Sequence, residues 1–322
     1  MMREAVLALT LCIPAAAQAQ TLAVSNEASH DISIIDVRTR RVVATIPVGD
    51  RPRGIHAVPG TRYVYVAISD NDPRAQSGRD AIAMVDLRTR RVLRRIPAGT
   101  DPEQFAITPD GRWLIASNED AGNASVVDTR TNRVAATLLV GIEPEGVAAS
   151  PDGRWVYVTA ETSNTISVID ARKQKVVQNF LADVRPRSAA FSPDSRRAYI
   201  TNEVSGTMDI VDVATHTVLT SIDIEAGKGK PVGVIVSADG KRVYAACGAT
   251  GTVAVIDAVA QKQIASIKVG KRPWGIALSP DGRFAYTANG LSNDVSIVDL
   301  AAGRSVATVR AGIRPWGVTV LP

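Results

Sequence analysis

Short apolar segments of five to seven residues run along the whole chain, each bounded by a cluster of Gly, Pro, Asp, Asn or Thr. No stretch sustains the apolar spacing of a helix, so the pattern predicts strands alone. Residues 146–150, 155–159, 166–170 and 175–181 read as four successive short strands. Between the first and second lies a Pro-Asp-Gly turn, here Pro151-Asp152-Gly153, where Pro presets one dihedral and Gly supplies a positive one. Between third and fourth strands comes Asp-x-x-Thr, as at Asp128 to Thr131, whose side chains can hydrogen-bond the turn backbone. Both links are hairpins, so the unit is an antiparallel sheet.

The unit recurs seven times. The third strand ends in Asp at Asp36, Asp86, Asp128, Asp170, Asp212, Asp257 and Asp299, with intervals of 42 residues apart from one of 50 and one of 45. Prolines ahead of the first strand, at Pro52, Pro102, Pro144, Pro186, Pro231, Pro273 and Pro315, keep the same set of intervals. A small sheet cannot cover its own two faces, whereas a ring of such sheets can. The expectation is an all-β, seven-bladed β-propeller of four-stranded antiparallel blades. The chain ends complete the count: residues 317–321 form a first strand without successors, and residues 22–48 supply the other three. Joined, they make a closing blade shared by the N- and C-termini, which leaves no open edge.

Arg3, the apolar run Ala5 to Ile13 and the small residues ending Ala17-Gln18-Ala19 have the layout of a cleavable secretory signal over residues 1–19. Residues 20–322 are then one exported domain, periplasmic or secreted, and no later run is long enough to span a bilayer. Cys12 falls inside the signal, so Cys247 is the one thiol left and burial with sheet hydrogen bonding must hold the fold. A net charge of +5 is mild, and 4% aromatic residues leave little for base stacking, which with export argues against a nucleic-acid partner. A monomer is expected.

The segments Tyr199-Ile200-Thr201-Asn202, Val158-Thr159 and Tyr286-Thr287-Ala288-Asn289 resemble the Tyr-Val-Thr-Asn propeller repeats of exported proteins. Asp101-Pro102-Glu103-Gln104-Phe105, Glu143-Pro144-Glu145-Gly146, Arg185-Pro186-Arg187 and Lys271-Arg272-Pro273-Trp274, in that order, are similar to the propeller proteins associated with pyrroloquinoline-quinone-dependent alcohol catabolism. That resemblance implies a periplasmic protein accompanying a quinoprotein dehydrogenase or c-type cytochrome, with no catalytic residues to carry over. Against that pattern the loop before Pro231 is shorter and the loop from Asp70 to Asp80 longer. The adjacent-cysteine pair of the dehydrogenases themselves is missing, and seven blades is one fewer than their ring.

Repetition supplies an internal alignment, and positions that differ at one structural spot are free to serve a ligand. The residue after each proline should border the central channel, and reads Arg53, Glu103, Glu145, Arg187, Val232, Trp274 and Trp316 around the ring. The residue before it reads Arg51, Asp101, Glu143, Arg185, Lys230, Arg272 and Arg314. The loops between second and third strands add Glu27, Asn71, Glu119, Glu161, Glu203, Gly248 and Gly290. A charged arc thus faces an apolar one. A planar anion, such as a quinone bearing carboxylates, could stack on Trp274 and Trp316 and pair with Arg272 and Arg314. The alternatives are that these arginines only bond neighbouring blades, or that the mouth is a protein-docking surface. On the far face, Arg38, Arg40, Arg41, Arg88, Arg90, Arg91, Arg130, Arg133, Arg172, Lys173 and Lys175 occupy the turns of four consecutive blades, where their fields could steer an acidic partner or simply be solvated.

His30, His56 and His216 lie in different units without metal-ligand or triad spacing, although His30 and His56 could approach across the closing blades. Glu103, Glu119, Glu145 and Glu161 could offer oxygen ligands to calcium. The sequence favours a non-catalytic binding or docking protein beside a quinone-dependent oxidation system. The alternative is a propeller hydrolase or lactonase using channel-mouth carboxylates, with or without calcium; several glutamates converging on one reacting atom would distinguish it.

Overall fold

The computed structural model describes residues 20–58, 60–71 and 78–321, so the expected signal over residues 1–19, Cys12 included, lies outside it. The described residues form seven four-stranded antiparallel sheets. The first, closing blade runs β28 (Pro315–Leu321), β1 (Thr21–Asn26), β2 (Asp31–Asp36) and β3 (Arg41–Pro47) from the channel outwards. The second to seventh blades follow in chain order as β4 to β7 (52–96), β8 to β11 (102–139), β12 to β15 (144–181), β16 to β19 (186–223), β20 to β23 (231–268) and β24 to β27 (273–310). Thr21 pairs with Leu321 and Val24 with Val318, so the two ends of the chain share one sheet as expected.

Each sheet has a neighbour on both faces. Its middle strands are therefore buried almost throughout, as in Trp155–Ala160 and Thr165–Asp170, and read as apolar runs rather than alternating ones. The outermost strand has one side free, and Lys175–Leu181 alternates exposed with half-buried residues. Apolar clusters lie between sheets: Ile32 and Ile46 of the first blade meet Val64 and Ile68 of the second, and Tyr65 of the second meets Phe105 and Leu114 of the third. Fully burying one such side chain is worth about 1.5–3 kcal/mol, so the ring draws its stability from contacts between blades.

Polar contacts fix the spacing. Small hydroxyls on the second strand donate across the gap to the carbonyl following the next blade's proline: Ser25 to Arg53 at 2.5 Å, Ser117 to Glu145 at 2.6 Å and Thr201 to Val232 at 2.5 Å. Of the Tyr-Val-Thr-Asn-like segments, Tyr199–Asn202 uses its Thr201 in this way, whereas Thr159 and Thr287 bond within their own blades. Innermost strands approach backbone to backbone, and a Cβ added to Gly146 would lie 2.4 Å from the Arg187 carbonyl oxygen. In the outer hairpins the Asp that ends the third strand caps the turn. Asp36 accepts the Thr39 N–H at 2.8 Å, and Asp257 accepts those of Val259 and Ala260 at 3.0 and 2.9 Å.

Removing residues 315–322 strips β1 of its inner partner and opens the cluster around Val318, and should lower unfolding free energy in urea by several kcal/mol, on the order of one per lost hydrogen bond. Turn N–H groups hold Asp36, Asp257 and Asp299 below the usual aspartate value of 3.8. Carboxylates depressed by folding add stability that is complete above the unfolded value and lost as pH falls through the folded one. Urea midpoints should therefore show this contribution disappearing below about pH 4, and Asp257→Asn should flatten that part of the profile.

Candidate functional site

Every innermost strand carries a register shift just after its proline, between Pro52 and Ile55, Pro144 and Val147, Pro186 and Ser188, and likewise round the ring. A bulge re-aims the side chain it contains. Here that side chain is the residue after the proline, and it turns toward the channel mouth. The residue before each proline is left-handed, with φ of 39° at Arg51, 48° at Asp101, 62° at Arg185 and 54° at Arg272, although none is Gly. Its carbonyl accepts the N–H of the first residue in the loop joining second and third strands: Asp101 from Glu119 at 3.1 Å, Glu143 from Glu161 at 3.0 Å, Arg185 from Glu203 at 2.8 Å and Arg314 from Glu27 at 2.9 Å. These bonds bring the loop glutamates alongside the strand residues. In the second blade Ser69 holds this place after the strand Tyr63–Ile68, and Asn71, expected there, sits exposed in the longer loop.

Two guanidinium groups organise the charged arc. Arg53 sits on buried Glu103 and lies 3.4 Å from Glu27 and 3.8 Å from Glu119. Arg187, itself buried, lies 2.9 Å from Glu145, contacts Glu161 and is 3.7 Å from Glu203. Outer arginines complete the pairing: Arg51 is 3.3 Å from Asp101, Arg185 donates to both oxygens of Glu161 at 2.9 and 3.1 Å, Arg272 is 2.8 Å from Glu203, and Arg314 is 3.6 Å from Glu27. Pairing of this kind is the condition for burying charge.

On the apolar arc, Trp274 and Trp316 stack on each other with ring centres 6.2 Å apart and planes 17° from parallel. The Arg272 guanidinium covers Trp274 at 4.5 Å while pairing with Glu203. A planar anion between the indoles would therefore have to displace both the indole stack and that guanidinium, and a carboxylate-bearing quinone, one of the ligands the sequence allowed here, does not fit this arrangement. Between the two arcs opens a cavity of about 350 Å³. Its wall holds Arg51, Arg53, Glu119, Glu145, Glu161, Arg185, Arg187, Glu203, Arg272, Trp274, Arg314 and Trp316, all from the repeated positions compared round the ring. Glu103, from the same positions, lies out of reach of solvent. Glu27, Asp101 and Asp120 join the wall as well. Glu27 and Asp101 were visible as members of the repeated positions, whereas Asp120 carries no signal beyond following Glu119. Lys230 and Glu143 are not part of the cavity wall, Glu143 accepting a hydrogen bond from Thr162.

Carboxylate oxygens of Glu119, Glu145 and Glu161 come within 4.8 Å of one another, as do those of Asp101, Glu103 and Glu119. The same carboxylates are the ones held by Arg53, Arg51 and Arg187, so a calcium ion would compete with guanidinium groups already in place, and the donors do not fit it. Histidines take no part in either cluster: His30 lies 3.7 Å from Asp50, His56 packs edge-on against Phe105, and His216 bonds the Tyr157 hydroxyl at 2.7 Å. Burial pushes Glu145 up to about 7, opposed by Arg187 and reinforced by Glu161 and Glu119. Burial raises Glu119 too, with Arg53 opposing. Arg187 is raised in turn: burial disfavours its charge, but the three carboxylates around it outweigh that.

A family model described as lactonase, 7-bladed β-propeller, matches residues 173–308, and one described as cytochrome D1 heme domain matches residues 17–138. No curated protein matches the chain significantly. Among solved structures, it is similar to Kuenenia stuttgartiensis hydrazine synthase at 22% identity and TM-score 0.77, covering 87% of this chain and 92% of that one. It is also similar to 6-phosphogluconolactonase candidates from Bacteroides uniformis, at 17% identity, TM-score 0.78 and coverage of 94% and 100%, and from Bacteroides fragilis, at 16%, 0.76, and 96% and 100%. At such identities the likeness establishes the propeller fold.

Removing the shared cation tests the clasp. Arg187→Ala leaves Glu145, Glu161 and Glu203 short of their buried partner, which should cost about 3–5 kcal/mol in urea unfolding at neutral pH. Because protonation relieves uncompensated carboxylates, the deficit should shrink as pH is lowered toward about 5.

Proposed function

We propose that the chain is a hydrolase of the lactonase type, exported by its N-terminal segment, with the channel mouth as its active site. One observation carries this reading: Glu145, at the wall of the 350 Å³ cavity, is raised to about 7 and so can take and return a proton at neutral pH. A docking face has no need of such a group, and the lactonase family match and the two 6-phosphogluconolactonase-like neighbours support the hydrolytic alternative over the non-catalytic one.

The chemistry follows from the residues around the cavity. Glu145, Trp274 and Trp316 line the same cavity, and in this reading a lactone ring lies against the indoles and presents its carbonyl carbon to Glu145. Ionised Glu145 takes a proton from water as the water oxygen bonds to that carbon. Negative charge then builds on the carbonyl oxygen, where the Arg187 and Arg53 guanidinium groups offset it. The ring carbon–oxygen bond breaks, Glu145 returns the proton to the leaving alkoxide, and the product is a hydroxy acid that releases one proton to solution.

A haem, suggested by the cytochrome D1 match, is not part of this reading. The imidazole on the channel wall is His56, which packs against Phe105 at 4.9 Å beside a cavity of about 190 Å³. Cofactor cavities usually exceed about 300 Å³. The accessory role beside a quinone-dependent dehydrogenase rests on the family resemblance of the sequence.

Titrating acid release at constant pH on a panel of sugar-derived and simple γ- and δ-lactones tests the proposal. The rate constant kcat/KM should rise with pH through about 7 as Glu145 ionises. Glu145→Gln should lower kcat by about 10²–10⁴-fold and abolish that rise while keeping the circular-dichroism spectrum. Turnover equal in wild type and variant would overturn the assignment.

A further inference from the structure

The face opposite the channel mouth is built from the hairpin turns at the far ends of the strands, and its charge is uneven. Arg38, Arg40 and Arg41 in the first blade and Arg88, Arg90 and Arg91 in the second are all exposed, and the next two blades continue the arc with five more basic residues. The matching turns of the other three blades supply Lys262 and Arg304, and the neighbouring hairpins there add Arg197, Arg242 and Arg283, which are paired with Asp212, Asp257 and Asp299. Among the described residues none of the six arginines pairs with an acidic side chain. Asp36 and Asp86, the nearest acids in sequence, are engaged by turn N–H groups at 2.8 Å, and Asp86 also by Arg62 at 3.0 Å. At the mouth, by contrast, every arginine on the cavity wall has a carboxylate partner.

Arg40 and Arg90 are also costly choices for the backbone. Both are left-handed, at φ 57° and 56°, at a corner that the other five blades fill with Asn132, Gln174, His216, Gln261 and Gly303. Asn and Gly suit that conformation best, so the fold does not ask for arginine there. Between the two turns lies a recess of about 300 Å³ lined by Ile34, Ala44, Leu87 and Leu321, with Arg62 and Arg90 on its wall.

We propose that this face docks a protein whose contact surface carries clustered Asp and Glu around a protruding aliphatic side chain: the arc supplies long-range attraction and the recess receives the apolar group. The inference is independent of the chemistry at the channel mouth. Its test uses a labelled acidic peptide with a central Leu-Leu pair, the same peptide with Ser-Ser, a duplex DNA of random sequence and phosphatidylglycerol vesicles, all followed by fluorescence anisotropy or co-sedimentation. The leucine peptide should bind about tenfold more tightly than its serine twin, and more weakly as salt rises. Arg40→Asn with Arg90→Asn should weaken it by at least about tenfold while Tm holds or rises, because Asn fits the left-handed corner. Arg38→Gln with Arg88→Gln, outside that corner, should weaken it similarly, and Lys262→Gln should not. Equal binding of the two peptides, tighter binding of DNA or vesicles, or unchanged affinity in both double variants would overturn the proposal.

Discussion

Burial of each small sheet between two neighbours is the constraint from which the rest of this molecule follows. A four-stranded sheet with apolar side chains on both faces is stable only with something on each side, and a closed ring provides that for every blade at once. The pairing of β28 with β1 is therefore the joint on which the other interfaces depend, since without it two sheets would expose a face and an edge.

The channel mouth inherits its geometry from that ring. Glycine and serine in the innermost strands let backbones approach closely, the bulge after each proline swings one side chain inward, and the left-handed residue before it anchors a loop glutamate beside it. Seven bulges, with the loop glutamate present in four of the blades, concentrate ionisable groups in a space partly closed to water. Guanidinium groups with several donors can serve several carboxylates at once, and Arg53 and Arg187 each do so. Burial raises the affinity of Glu145 for a proton, and Arg187, which it shares with two other glutamates, offsets that only in part.

The two faces thus use arginine differently. Paired at the mouth, it shapes a short-range field suited to acting on a ligand that reaches the cavity. On the far face the six arginines in the outer turns of the first two blades have no carboxylate partner among the described residues and project beyond the surface, where a field is felt by large partners before contact.

Much of this was legible in the sequence because the period acts as an internal alignment. Strand count, the closing blade, the capping Asp residues and the charged and apolar arcs all follow from comparing one unit with the next. What could not be read was pairing across blades. Arg272 reaches Glu203 two blades away because Val232 and Gly248 leave room between them, and a Cβ on Gly248 would lie 3.1 Å from its guanidinium. Trp274 and Trp316 were legible as neighbours, yet their mutual stacking and the guanidinium laid over one of them were not. The sequence by itself determined which side chains ring the channel, since a repeated backbone repeats its directions. Only the tertiary structure decided which carboxylate each arginine holds and which one keeps a proton near neutrality, because those depend on distances and burial set jointly by several blades.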